Sequence, residues 1–398
     1  MEEEKFTLDE VMEAYLQCRK HKRKTYNALA FEKDWMQNCV TLHRELSDGT
    51  YRIGRSIAFA VTRPKLREVF AADFRDRVVH HLIIGRLEPL FEEYFIDDCY
   101  NCRKEKGTQY GFDQLHRKIR ECSEDYTKDC WILKGDMQGF FMSIHKPTLW
   151  EMLERFIKER YKGGNMKQLL WLTKMVALHS PEEDCIIKGD RGLLERLPSD
   201  KSLFTCGRDY GLPIGNLTSQ MFANFYLSGF DHWMKEHFCY YGRYVDDFYA
   251  IGRDKRALLD ILPKARKCLA RLHVTLHPRK LYLQHYTKGV TFIGSTSKLC
   301  RRYIGNRTVH NMMEAIREMN SIDDKESYAE KFMSRMNSYL GFMRHYDSYA
   351  IRRRVARELD KEWWQYCYIQ GHHEKVVLKV CFRKKETMIN KLKNIGLW

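Results

Sequence analysis

Two adjacent carboxylates, Asp246 and Asp247, lie between apolar runs in YYGRYVDDFYAIG, flanked by Tyr244, Val245, Phe248 and Tyr249. The pattern reads as a β-hairpin with the acids at its tip. Neighbouring acids at the end of a buried hairpin repel one another and resist burial, and a cation resolves the conflict. A third carboxylate, Asp136, ends another apolar strand, WILKGD. Alone, an acid at a strand end is a turn residue; laid beside the hairpin, it completes a three-carboxylate set. Hard oxygen ligands suit magnesium, and two magnesium ions about 3.5–4 Å apart align an attacking oxygen with a transferring phosphoryl group and neutralise its charge. Metal-assisted nucleotidyl transfer is the chemistry these residues could perform.

The elements that must position the acids can be read from periodicity. Leu8 to Leu46 reads as helical, broken by the basic run Arg19, Lys20, His21, Lys22, Arg23, Lys24, which suits either a solvated face or a phosphate contact. Gly49 to Phe70 is strand-like, interrupted by Gly54 and Pro64, and FRDRVVHHLIIGRLEPLF returns to helical spacing. After WILKGD a turn is expected, then one long helical stretch from about Pro147 to His179, a polar loop, a Gly-bounded GLPIGN and a helix from Thr218 to Glu236. Beyond the hairpin come a helix over Lys255 to Leu272, a strand pair in VTLHPRKLYLQ and GVTFIG, and an Arg-rich helical tail. KVVLKVCF alternates like a short strand with no function attached.

The chain has 398 residues, 44% of them hydrophobic, enough for a globular core and for two or three subdomains around one site. Lys and Arg number 69 against 53 Asp and Glu, a net charge of +16, which is the footprint of a protein that holds polyanions. The opening MEEEKFTLDEVMEAYL lacks the basic start and apolar core of a secretory signal, the 13 cysteines are scattered, and no apolar run approaches membrane-spanning length. A cytoplasmic location without membrane contact is expected. Cys99 and Cys102 form one CxxC, but Cys122 and Cys130 make no matching pair at zinc-site spacing, so all four read as ordinary thiols.

FRDRVVHH, CRKEKG, the D-x-x-x-F-F of Asp136 to Phe141, GLPIGNLTSQ, YVDD, HPRK and FIG stand in the order and spacing of reverse transcriptases. The resemblance covers roughly residues 10 to 360. It implies an α+β right-hand polymerase fold: an N-terminal helical extension over residues 1–60, fingers over 61–130, a palm with an antiparallel sheet over 131–305, and a helical thumb with a C-terminal tail over 306–398. It also implies that Asp136, Asp246 and Asp247 hold two Mg2+ ions, Asp247 with less direct coordination than the others. Arg103 and Lys104, with Lys106 as a substitute, would grip the triphosphate. Phe141 would lie under the incoming sugar and exclude a 2′-hydroxyl, Phe140 being a core aromatic; Lys280 would act near the leaving pyrophosphate; Phe292, Ile293 and Gly294 would support the primer end. The partners implied are an RNA template, a DNA or RNA primer and deoxynucleoside triphosphates. The run Arg352, Arg353, Arg354 reads equally as a duplex contact or a solvated face.

GLPIGNLTSQ departs from the general pattern in carrying Ile214 before Gly215, where glutamine is usual, and Gln220 after the serine. Ile214 can neither donate nor accept a hydrogen bond, so a polar check on the template–nucleotide pair would be missing and fidelity should fall. This form resembles reverse transcriptases of diversity-generating retroelements, which copy a template-repeat RNA with errors at adenines, and implies a small basic accessory protein and a structured non-coding RNA as partners. An antiviral-defence reverse transcriptase is the alternative within the family. Retron enzymes usually show VTG where this chain has Val290, Thr291, Phe292, and the tail is too short for the extension of group II intron maturases. A non-catalytic RNA-binding scaffold is the alternative outside it.

Overall fold

The computed structural model describes residues 4–20, 25–63 and 65–379; His21 to Lys24 of the basic run and the end of KVVLKVCF lie outside them. The chain divides into two compact units, one ending at Gln284 and one beginning at His285. Helices and sheets mix in both.

In the first unit the organising element is a four-stranded sheet in the order Tyr240–Tyr244, Asp247–Gly252, Trp131–Asp136, Tyr282–His285. Its centre is antiparallel, pairing Trp131 with Gly252 at one end and Asp136 with Asp247 at the other. One face carries Leu133, Phe248 and Ala250 into a large core shared with helices Phe74–Tyr94, Lys146–Arg160, Leu217–Tyr226 and Lys255–Ala270. Packing is tight enough to require glycine at 135, where a Cβ would stand 2.6 Å from the Phe248 ring. Three N-terminal helices, Leu8–Arg19, Tyr26–Lys33 and Trp35–Ser47, join the same core through Val11, Tyr15, Phe31 and Leu42.

A second sheet of the first unit orders Arg67–Ala71, Ser56–Val61 and Cys185–Ile187. Its third strand comes from the segment expected as a polar loop and runs parallel to Ser56–Val61. Buried Glu68 anchors a later part of that segment, accepting from Ser202 Oγ at 2.6 Å and from the Leu203 N–H at 2.8 Å. Two expected helices are broken. The stretch after Pro147 is split into Lys146–Arg160 and Met166–Ala177 with Gly163 and Gly164 between, and the other into Leu217–Tyr226 and Ser228–His237 at Leu227.

The second unit has a three-stranded meander, Val290–Phe292, Ser295–Lys298 and Arg301–Ile304, succeeded by helices Asn306–Asn320, Lys325–Met343 and Tyr349–Glu358. Residues 285–305, expected with the acid-bearing sheet, thus group with the helices after them, because strands 290–304 hydrogen-bond among themselves. Val290–Phe292 does not pair with Tyr282–His285 as expected. Lys375–Leu378 is a strand, paired with Cys367–Gln370. Arg352 faces inward, 6% exposed, while Arg353 and Arg354 are exposed.

Among the described residues no helix is long and apolar enough to cross a membrane.

Candidate active site

Directly opposed residues of an antiparallel pair project from the same face. The register Asp136↔Asp247 therefore brings two carboxylates together, and Asp246 stands beside them in a two-residue turn between Tyr244 and Asp247. The turn is tied back to the neighbouring strand end: the Met137 N–H donates to the Asp246 carbonyl at 3.0 Å. The loop after Lys255–Ala270 closes the other side, with the His277 N–H donating to the Asp136 carbonyl at 2.8 Å and the Gln138 N–H to the Thr275 carbonyl at 2.9 Å. That loop delivers Lys280, whose Nζ lies 2.8 Å from Asp136 Oδ1.

The electrostatics are those of acids held together against their preference. Burial, then repulsion from Asp136, raises the Asp246 pKa, with Lys280 and Arg67 pulling against the rise. Burial pushes Asp247 up to about 6, opposed by Lys134 and assisted by Asp246 and Asp136. Lys134 Nζ lies 2.7 Å from Asp247 Oδ1, an ion pair that only partly offsets the burial. Among the described residues no three His, Cys, Asp or Glu side chains stand close enough to cage an ion; Lys280 and Lys134 neutralise the acids instead. The donor set still fits a hard divalent cation. It offers carboxylate oxygens only, and burial with mutual repulsion raises the pKa of two of its members.

Around the acids the other expected residues are distributed unevenly. Phe141 is partly buried in the short helix Phe140–Ser143, its carbonyl accepting from the Leu212 N–H at 2.9 Å, while Phe140 is buried in the main core. Phe141 and Ile214 border one small apolar cluster of Ala58, Phe70, Met142 and Leu203. Ile214 and Gly215 lie along the strand Arg67–Ala71: the Phe70 N–H donates to the Ile214 carbonyl at 2.9 Å. Gly215 has φ +118°, and a Cβ there would meet Val69 Cγ1 at 2.8 Å. Gln220 is exposed and accepts from Cys102 Sγ at 3.4 Å. In the second unit Phe292 is buried, and Ile293 and Gly294, with φ of +50° and +77°, form the tight turn after it.

The basic residues expected to grip a triphosphate make their contacts with other groups. Arg103 is turned into the protein, where its guanidinium meets Glu92 Oε2 at 2.8 Å and the carbonyls of Ile96, Cys99 and Glu92. Its charge is consumed in closing the loop after Phe74–Tyr94. Lys104 is exposed beside Glu88, and Lys106 Nζ donates to the Asp97 carbonyl at 2.8 Å. A cation the sequence reading passed over is better placed. Arg67 starts the strand beside Ile214–Gly215, is exposed, and is felt by Asp246. Its signal was present as three cations in five residues, Arg63, Lys65 and Arg67, at the turn of a hairpin.

Comparison with known proteins agrees with this geometry. The family model described as "Reverse transcriptase (RNA-dependent DNA polymerase)" matches residues 62–297, more than half of the 398. The chain is 23% identical over 290 residues to Protein YkfC of Escherichia coli (strain K12), covering 64% of this chain and 69% of that protein. It is 24% identical over 113 residues to Nuclear intron maturase 1, mitochondrial, of Arabidopsis thaliana, covering 28% of this chain and 15% of the maturase. The matched span takes in the opposed acids, the turn between the hairpin strands and Lys280. This chain therefore belongs to the reverse transcriptases, RNA-directed DNA polymerases that act as nucleotidyltransferases.

Proposed function

We propose that the acid edge of the four-stranded sheet adds deoxynucleotides to a primer on an RNA template, with Asp136, Asp246 and Asp247 holding two Mg2+ ions. The observation that carries the reading is the register Asp136↔Asp247 with Asp246 in the adjoining turn, which gathers acids whose pKa values burial and mutual repulsion raise. Bound magnesium supplies charge neutralisation and alignment for the attacking 3′ oxygen and the triphosphate. The protein's own residues do the rest. Lys280 swings from Asp136 to the leaving side as a proton donor, and Arg67, in place of Arg103, meets the triphosphate. Phe141 stands under the sugar and excludes a 2′-hydroxyl, and Phe292, Ile293 and Gly294 support the primer end. In this reading the first unit supplies fingers and palm and the second the thumb.

The test is deoxynucleotide incorporation on an RNA template–primer. Activity with Mg2+ that falls by at least about 10³-fold in Asp246→Ala is expected. Tight RNA binding by a wild-type protein that incorporates nothing would favour the scaffold reading instead.

A finer reading concerns the product. Ile214 presents an apolar side chain to the cluster it shares with Phe141, where a glutamine would present an amide. This supports error-prone copying of a template-repeat RNA in a diversity-generating retroelement, assisted by a small basic protein and a structured RNA. Ile214→Gln should cut misincorporation opposite template adenine. An unchanged error spectrum would refute the retroelement role and leave the antiviral-defence role standing.

A further inference from the structure

The turn that carries Asp246 is bent into a conformation its own sequence resists. Val245 has φ +57°, in the left-handed region that a β-branched residue rarely enters. Both polar groups of its backbone are held from behind. Its N–H donates to Asn101 Oδ1 at 2.9 Å, and its carbonyl accepts from Arg243 Nη1 at 2.8 Å. The holders are themselves fixed. Asn101 is 4% exposed, and its carbonyl accepts from Asn224 Nδ2 at 2.7 Å. Arg243 is fully buried, paired to both oxygens of buried Asp231 at 2.7 and 2.6 Å and donating to Asn224 Oδ1 at 3.3 Å. Strand contacts lock the same region, since the Tyr100 N–H donates to the Arg243 carbonyl at 3.0 Å and the Arg243 N–H to the Asp98 carbonyl at 2.9 Å.

A hairpin turn in solvent needs none of this. Strained backbone persists only where its surroundings over-determine it, and here the surroundings aim a carboxylate. We propose that Asn101 is a positioning residue for the reaction: backed by Asn224 and Arg243, its amide oxygen holds Val245 in the left-handed conformation and thereby sets the direction of Asp246. The role rests on the polymerase reading above. Asn101 touches no reacting atom, and the CRKEKG segment that begins one residue after it has its own arginine, Arg103, turned away from the acids. Asn101, immediately before that segment, serves the site through the turn it braces.

Glycine enters the left-handed region without strain. If Asn101 acts by holding Val245 there, the need for Asn101 shrinks when residue 245 is glycine. The experiment compares wild type, Asn101→Ala, Val245→Gly and the double variant, measuring single-nucleotide kcat, the KM for deoxynucleotide, the Mg2+ concentration at half-maximal rate and the thermal midpoint. Asn101→Ala is expected to lower kcat about tenfold or more. It should raise the Mg2+ requirement and move the nucleotide KM by less than about threefold, because its effect falls on the aim of Asp246. In the Val245→Gly background the same change should cost less than about threefold, a coupling that a general loss of packing does not produce. Should Asn101→Ala fail to fold, Asn101→Ser, whose oxygen sits on a shorter arm, enters the same cycle with the same sign expected. Equal losses in the two backgrounds, with wild type active, would overturn this role alone. An inactive wild type would overturn the polymerase reading and the role together.

Discussion

The first unit buries charge in two adjacent places and treats it in opposite ways. Behind the hairpin, the Arg243 guanidinium reaches both oxygens of Asp231, two groups of Asn224 and the Val245 carbonyl, and Asp231 also accepts from the Tyr241 hydroxyl at 2.7 Å. Burial works against the arginine's charge, yet Asp231 outweighs it and holds the pKa above its usual value. At the front, Asp247 has the Lys134 ammonium 2.7 Å from one oxygen, but burial and its acidic neighbours outweigh it and raise the pKa. A saturated buried charge is a structural part, whereas one left in deficit is held ready for a ligand. Arg243 stands three residues before Asp246 and four before Asp247 in GRYVDD, so one short segment both anchors the site and presents it.

The comparison breaks most readily at the rear. Arg243→Ala leaves Asp231 buried and unpaired, and an uncompensated charge of that kind costs about 3–5 kcal/mol. Chemical denaturation should show a loss of that size, and Arg243→Met combined with Asp231→Leu should recover most of it. A single variant as stable as wild type would show that the pair is dispensable.

At the front the sign reverses. The folded-state pKa of Asp247 lies above the ordinary 3.8, so the folded chain binds that proton more tightly than the unfolded chain. Stability of the metal-free protein should therefore fall as pH rises from 3.8 to about 6 and stay lower above that. Asn cannot ionise, so Asp247→Asn in EDTA should be more stable than wild type at pH 8, on the order of 1–3 kcal/mol, with the advantage gone at pH 4. The same variant should lose polymerase activity. Equal thermal midpoints at pH 8 would mean that the front carboxylate is as well satisfied as the rear one.

How much of this was legible in the sequence differs along the same line. Asp136, Asp246 and Asp247 stood out because acids set against apolar strands create a conflict visible in one dimension, whereas Lys280 was singled out only through the resemblance carried by HPRK. The hairpin and WILKGD had clear apolar patterning, but their register, Asp136 opposite Asp247, came only with the structure. The inward turn of Arg103 was not legible because a cation's letter does not say which way it points, and Glu92 with three nearby carbonyls makes that direction the satisfied one. The strand Cys185–Ile187 was missed because three residues are too few for a period-2 signal, and its parallel partner lies far earlier in the chain. The break at Leu227 carries no glycine or proline at the junction itself, so nothing local announced it. Asn101 was invisible for a related reason: its use depends on the dihedral angle of a residue 144 positions away.

The finest adjustment between the two kinds of charge is Lys134, which sits on the strand two residues before Asp136 and meets Asp247 diagonally across the pair. Burial raises the Asp247 pKa first, and the Lys134 ammonium is the main force opposing that rise. Lys134→Ala should therefore move the acid limb of the pH–rate profile at fixed Mg2+ upward, since a more basic carboxyl is protonated over a wider range. The shift should be modest, corresponding to roughly 1 kcal/mol or less, because the pair keeps some solvent access. Raising the Mg2+ concentration should drive the limb back down, as the ion and the proton compete for the same oxygens. An acid limb that ignores both Lys134 and Mg2+ would remove Asp247 from the metal-holding set and leave Asp136 and Asp246 to carry it.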